Sequence, residues 1–237
     1  MLLRQTAKRA LSRASSLTRS LSTEAAMPLT DGKGETGPHM KNGLLQFETL
    51  YEIQARAAEQ WGNKPLFGTY SESSSEYEWM TQSEFDVKCA AARTLLSNLN
   101  IKPGETVGVV SNNRWEWAAV AQACYSLSAV MCPMYEAQMP SDWSYILNDA
   151  DCKALIVANS SIYDRAVVEV EKEVPHLSKD RIFSMSVDSV DAGSDHSFHK
   201  HMDVIVEGGV YADPNPPKPE GESEASERAK RASEARE

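Results

Sequence analysis

Four groups of residues in this 237-residue chain could do chemistry, and their spacing decides what each could do. The first is His196, His199, His201 and Asp203. Imidazole and carboxylate are normal metal ligands, but a site needs partners at ligand spacing and a rigid frame. No such partners lie elsewhere, and the stretch 188–203 is polar and irregular, so it reads as a solvated loop. The second group is Cys89, Cys124, Cys132 and Cys152. None forms a C-x-x-C pair and each sits in an apolar segment, which reads as buried free thiols. The third is Gly32-Lys33-Gly34-Glu35-Thr36-Gly37, a literal G-x-G-x-x-G. That motif works where a strand precedes it and a helix follows, so that phosphate meets a helix N-terminus. Here no strand precedes it and Pro38 follows. The fourth is the polar corner Ser111-Asn112-Asn113, which has no glycine pair to admit a pyrophosphate and so argues against a dinucleotide-binding turn.

The elements around these residues have a regular order. Leu50, Ile53, Ala57 and Trp61 recur at helical spacing within 44–61. Leu66 to Tyr70 and Glu76 to Met80 are short aromatic-rich runs on either side of Ser71–Ser75, and read as an antiparallel hairpin at a sheet edge. Thr81-Gln82-Ser83-Glu84 is a capping box opening a helix with Phe85, Cys89, Ala92, Leu96 and Leu99 on one face. Lys102-Pro103-Gly104 stops it. Apolar runs at Val107–Val110, Ala129–Met134, Ala154–Val157 and Ile182–Val187 follow, with helices expected near 113–127, 140–149 and 161–174. Asn113 is expected to cap the first of these, with Glu116 completing a box. Strands apolar on consecutive positions suit a parallel sheet covered on both faces. The β-α-β-α-β-α-β order predicts a three-layer α/β fold with right-handed crossovers. Val204–Val206 is expected to add a strand.

Composition sets the outer limits. Apolar residues make up 41% of the chain, enough for a core over part of it. Five of the 24 basic residues (Arg4, Lys8, Arg9, Arg13, Arg19) lie in 1–23, which has no acid; the other 19 face 34 acidic residues. A body that acidic argues against nucleic acid as a partner. The Arg- and Ser-rich segment 1–23 has the composition of a mitochondrial transit peptide, with a plastid one as the alternative. A linker (24–43), the folded part (44–210) and a Pro-rich segment with a charged low-complexity tail (211–237) follow. Both tails are expected to be disordered. The uncharged run Trp117–Met134 has the length of a membrane span, but Gln122, Ser126, Ser128 and Pro133 and the helix-then-strand parse argue against one.

Ile101 to Trp117, through Pro103-Gly104-Glu105 and Asn112-Asn113-Arg114-Trp115-Glu116, resembles the first well-marked segment of long-chain acyl-CoA synthetases of the AMP-forming adenylating superfamily. Ala129–Tyr135, Tyr145–Asp149 and Lys153–Val157 resemble the segments that follow, and the likeness covers roughly 47–219. The resemblance implies the N-terminal adenylating domain and a ligase using fatty acid, ATP, Mg²⁺ and CoA. That chemistry needs a Ser/Thr/Gly-rich loop ending in Lys, because backbone N–H groups and a cation must stabilise charge on the phosphates. The loop is expected after Asp213–Glu220, where this chain continues with Gly221-Glu222-Ser223 instead. No catalytic, cofactor-binding or metal residue is therefore assigned. The chain is expected to be a truncated part of the domain, to bind no cofactor itself and to be inactive alone. The alternative is a non-catalytic mitochondrial interaction module, docking a protein at an exposed sheet edge.

Overall fold

The computed structural model describes residues 37–41, 43–185 and 196–214. The expectations for 1–23, for most of the linker with its glycine motif, and for the tail beyond 214 fall outside these residues. A two-residue hairpin, β1 (Met40–Lys41) with β2 (Leu44–Leu45), leads into helix α1 (Leu50–Trp61). Thr49 caps α1 in a full box with Glu52. Strands β3 (Pro65–Ser71) and β4 (Glu76–Thr81) pair antiparallel, as the aromatic runs predicted. They form a two-stranded sheet of their own rather than an added edge of the parallel sheet. Phe67 and Met80 point inward onto the core; Tyr70, Tyr77 and Trp79 point outward.

Helix α2 (Gln82–Asn98) starts on the predicted capping box: Thr81 accepts from Glu84 N–H, and the Glu84 carboxylate accepts from Thr81 N–H. Then come β5 (Thr106–Val110), α3 (Trp115–Ser126), β6 (Val130–Met134), α4 (Pro140–Asp149), β7 (Cys152–Val157) and α5 (Ser160–Glu173). A short 3-10 turn (Lys179–Arg181) precedes β8 (Ile182–Ser184). The four strands form one parallel sheet in the order β6-β5-β7-β8.

Two apolar clusters sandwich this sheet. Val107, Val109, Ala154 and Ile156 face α2 and α3. Val110, Leu155 and Val157 face α4 and α5. Right-handed crossovers explain the division. The step from β5 out to β6 carries α3 over one face. The return across β5 to β7, and on to β8, runs the other way and carries α4 and α5 over the opposite face. Gly108 is required where β5 meets α4, because a Cβ there would lie 2.8 Å from Leu147 Cδ2. Pro133, which has no N–H to donate, is accommodated because β6 is an outer strand.

The main correction lies after β8. Of the expected solvated loop (188–203), residues 198–203 join the expected strand at Val204–Val206 in one helix, α6 (Phe198–Gly208); 188–195 lie outside the described residues. Ser197 caps it by accepting from Lys200 N–H, and Gly209 ends it with φ of 64°. Phe198 and Met202, one turn apart, are fully buried against the α2/α3 face. No helix among the described residues is long and apolar enough to cross a membrane.

Candidate functional site

In open parallel sheets, ligands sit outside the carboxyl ends of strands, where successive crossovers leave for opposite faces. Here β5 feeds α3 on one face, while its neighbours β6 and β7 feed α4 and α5 on the other. A cleft of about 910 Å³ opens at that place. It is lined by the β5–α3 corner (Asn112 to Ala118), by Glu136 after β6, by Ala158 and Asn159 after β7, and by Phe67 to Tyr70 of the hairpin.

Its floor is held by one buried carboxylate. Arg114 donates to both oxygens of Glu116, from Nε at 2.8 Å and from Nη2 at 2.6 Å. Arg114 Nη1 also donates to the Ala158 carbonyl at 3.0 Å, which ties the end of β5 to the end of β7. On the other side, Asn112 N–H donates to Glu136 at 2.7 Å, tying β5 to β6. His199 Nε2 of α6 lies 3.0 Å from Glu116 Oε1, and its ring meets Trp115 edge-on. Burial alone would raise the Glu116 pKa. Hydrogen bonds from His199 and Arg114, a bond to its own backbone N–H and the Arg114 charge outweigh it, and hold the carboxyl at about 2.

Glu116 therefore plays a different part from the one its spacing suggested. Arg114, not Asn113, is the N-cap residue of α3; it makes no side-chain cap, and Glu116 serves the cleft floor instead. The histidines do not converge. His196 Nδ1 lies 3.2 Å from the Ile182 carbonyl, His199 goes to Glu116, and His201 stacks edge-on against Phe183. Asp203 pairs with Lys88 at 3.5 Å. No group of three metal-ligating side chains forms among the described residues. All four cysteines are free thiols; three are buried and Cys132 is half-buried. Burial raises the Cys124 thiol to about 12 and pushes Cys89 further in the same direction, so neither is poised as a nucleophile.

Among the described residues that line the cleft, no nucleophile sits beside a base. All of its charged side chains, Arg114, Glu116 and Glu136, are already engaged. Such an arrangement fixes the positions of the strand ends. The Arg114–Glu116–His199 cluster was hidden in the sequence because His199 is 83 residues beyond Glu116.

Known proteins resemble this chain in sequence and in fold. Long-chain-fatty-acid–CoA ligase 6 of Mus musculus is 32% identical over 132 residues, which cover 54% of this chain and 19% of that protein. A probable CoA ligase of Humulus lupulus is 23% identical over 151 residues, covering 59% and 23%. The chain spans about a fifth of the length of the curated relatives it matches. Among solved structures, the anthranilate CoA ligase AuaEII in complex with anthranoyl-AMP aligns with a TM-score of 0.54 at 19% identity, covering 76% of this chain and 30% of that one. A fatty acyl CoA synthetase of Mycobacterium tuberculosis aligns at 0.53 and 16% identity, covering 73% and 30%. At these identities the structures speak for the fold alone. Residues 54–226 match the AMP-binding enzyme family, and the chain belongs to it.

Proposed function

We propose that this chain is the scaffold portion of a long-chain fatty acid–CoA ligase, and that residues 1–237 alone do not catalyse the reaction. In that reaction ATP and a fatty acid give an acyl-adenylate and pyrophosphate, and the CoA thiol then displaces AMP. The observation that carries the reading is the cleft at the carboxyl ends of β5, β6 and β7, whose charged groups all serve to fix strand ends. Nothing in 1–237 reads as a Ser/Thr/Gly-rich loop ending in Lys. The role left to the chain is to position such a loop and not to supply it. The 32% identity to a long-chain-fatty-acid–CoA ligase supports the choice of substrate class. The test is to incubate the purified chain with ATP, Mg²⁺ and palmitate and to follow pyrophosphate. Release at background rate is expected; palmitate-dependent release above it sinks the proposal.

The basic segment 1–23 extends the proposal to location. Its five basic residues and lack of acids support import into mitochondria, with plastids as the alternative. A fluorescent reporter fused after residue 40 is expected to enter mitochondria, and the same reporter carrying Asp at Arg4, Arg9 and Arg13 is expected to stay outside.

A further inference from the structure

A second concave region lies at the amino end of β6, the end opposite the cleft. Between the start of α1 and the end of α3 runs a groove of about 420 Å³, with Leu50, Tyr51, Tyr125 and Ala129 in its lining. Leu44, Phe47 and Leu50, on the approach to α1 and at its start, are each half exposed or more, and so is Val130, next to Ala129. Glu48 is the one charged lining residue among those described, and it is exposed. Apolar side chains left in water around a groove mark a docking surface.

Three features of the chain point to one occupant. The first is where the chain enters. Gln46 N–H donates to the His39 carbonyl at 2.8 Å, which brings the incoming segment beside Phe47. Residues 24–36 span about 43 Å when extended, so 1–23 can reach any part of the groove. The second is pattern. Leu3, Ala7, Ala10, Leu11, Ala14 and Leu17 fall on one face of a helix, about 21 Å from end to end. So thin an apolar face does not hold a helix in water and needs a surface to form against. The third is charge. Residues 1–23 carry five basic residues and no acid, and the rest of the chain has 34 acidic residues, Glu48 among them, against 19 basic. The tether also keeps the segment at about millimolar effective concentration, which favours it over a second copy in dilute solution.

We propose that the segment 1–23 docks as an amphipathic helix in this groove. Its Leu and Ala face lies against Leu50, Tyr51 and Tyr125, and its basic face is turned to Glu48 and to water. This is helix-in-groove recognition within one chain. Docking hides the segment once the body has folded, so a receptor for it meets it only before folding. The proposal does not rest on the ligase reading, and the location reading stands or falls separately.

The test places a photo-activated benzophenone side chain at Leu11 of the full 237-residue chain. Illumination in dilute solution is expected to give a crosslink within one chain, mapped by mass spectrometry to 44–51 or 125–130. Hydrogen exchange measures the strength of docking. Amides of 3–17 should exchange at least about tenfold faster in Leu50→Asp, because one buried leucine contact is worth that much in affinity. Leu50 is half exposed and opens α1, where a carboxylate suits the helix, so this variant should keep its fold, as far-UV circular dichroism checks. The crosslink in the parent tests the proposal without that variant. Arg4→Asp, Arg9→Asp and Arg13→Asp combined should also quicken the exchange. Val168→Asp, exposed on α5, should change neither readout. The proposal is overturned by crosslinks that fall elsewhere on the chain, by crosslinks between copies, by exchange indifferent to Leu50→Asp, or by Leu50-dependent sedimentation with phosphatidylcholine vesicles in place of the internal crosslink.

Discussion

The two faces of the parallel sheet are built in different ways. The face under α4 and α5 is apolar and local in sequence: Trp143, Leu147, Ile162 and Val170 pack on strands that directly precede or follow them. The face under α2, α3 and α6 is closed by distant segments. Phe198 and Met202 reach back to it, Ala212 N–H donates to Thr94, and Arg93 donates to the Ala212 carbonyl at 2.6 Å. It also contains the buried Glu116 cluster. The difference shows where this fold depends on contacts between residues far apart in the chain, and each substitution below tests one side of it.

The largest effect is expected from Phe198→Ala, which removes the anchor of α6 from the long-range face and leaves a cavity. It should cost about 3–5 kcal/mol in urea unfolding. Residues near Thr94 should lose hydrogen-exchange protection with it. Glu116→Gln keeps the shape but removes the charge that Arg114 and His199 serve, and should cost about 1.5–3 kcal/mol. The same variant has a pH signature. Glu116 ionises near 2 in the folded protein against an ordinary 4.5, so it stabilises the fold fully above 4.5, and that contribution is lost as pH falls toward 2. The acid limb of a stability–pH curve should therefore flatten in Glu116→Gln. On the local face, Gly108→Ala places a methyl against Leu147, Leu155 and Met134, and should cost about 1–3 kcal/mol. If Gly108→Ala costs more than Phe198→Ala, the contrast between the faces is wrong. Smallest is Thr81→Ala, which removes one N-terminal cap from α2 and should cost about 1 kcal/mol.

The same contrast separates what could be read in the sequence from what could not. The strands β5, β6 and β7 and the Thr81 box were legible, because consecutive apolar positions and a short contiguous cap are local signals. Helix α6 was obscured by its content. The histidines suggested chemistry and the β-branched run Val204-Ile205-Val206 suggested a strand, although Ser197, the Phe198/Met202 spacing and Gly209 already marked a helix. The partners of Glu116 could not be read at all. A carboxylate just after Asn113 and ahead of an apolar helix looks like part of a cap until a histidine from another element is placed beside it.

The strand order also has a consequence for how the chain assembles. The central strand, β5, is the first of the four to be made, yet its second neighbour, β7, ends 47 residues later. At synthesis rates of about 5–20 residues per second, β5 waits on the order of seconds with one ladder unpaired. Until Val157 leaves the ribosome, its most apolar segment is an open edge, and this interval is when the nascent chain has most need of a chaperone.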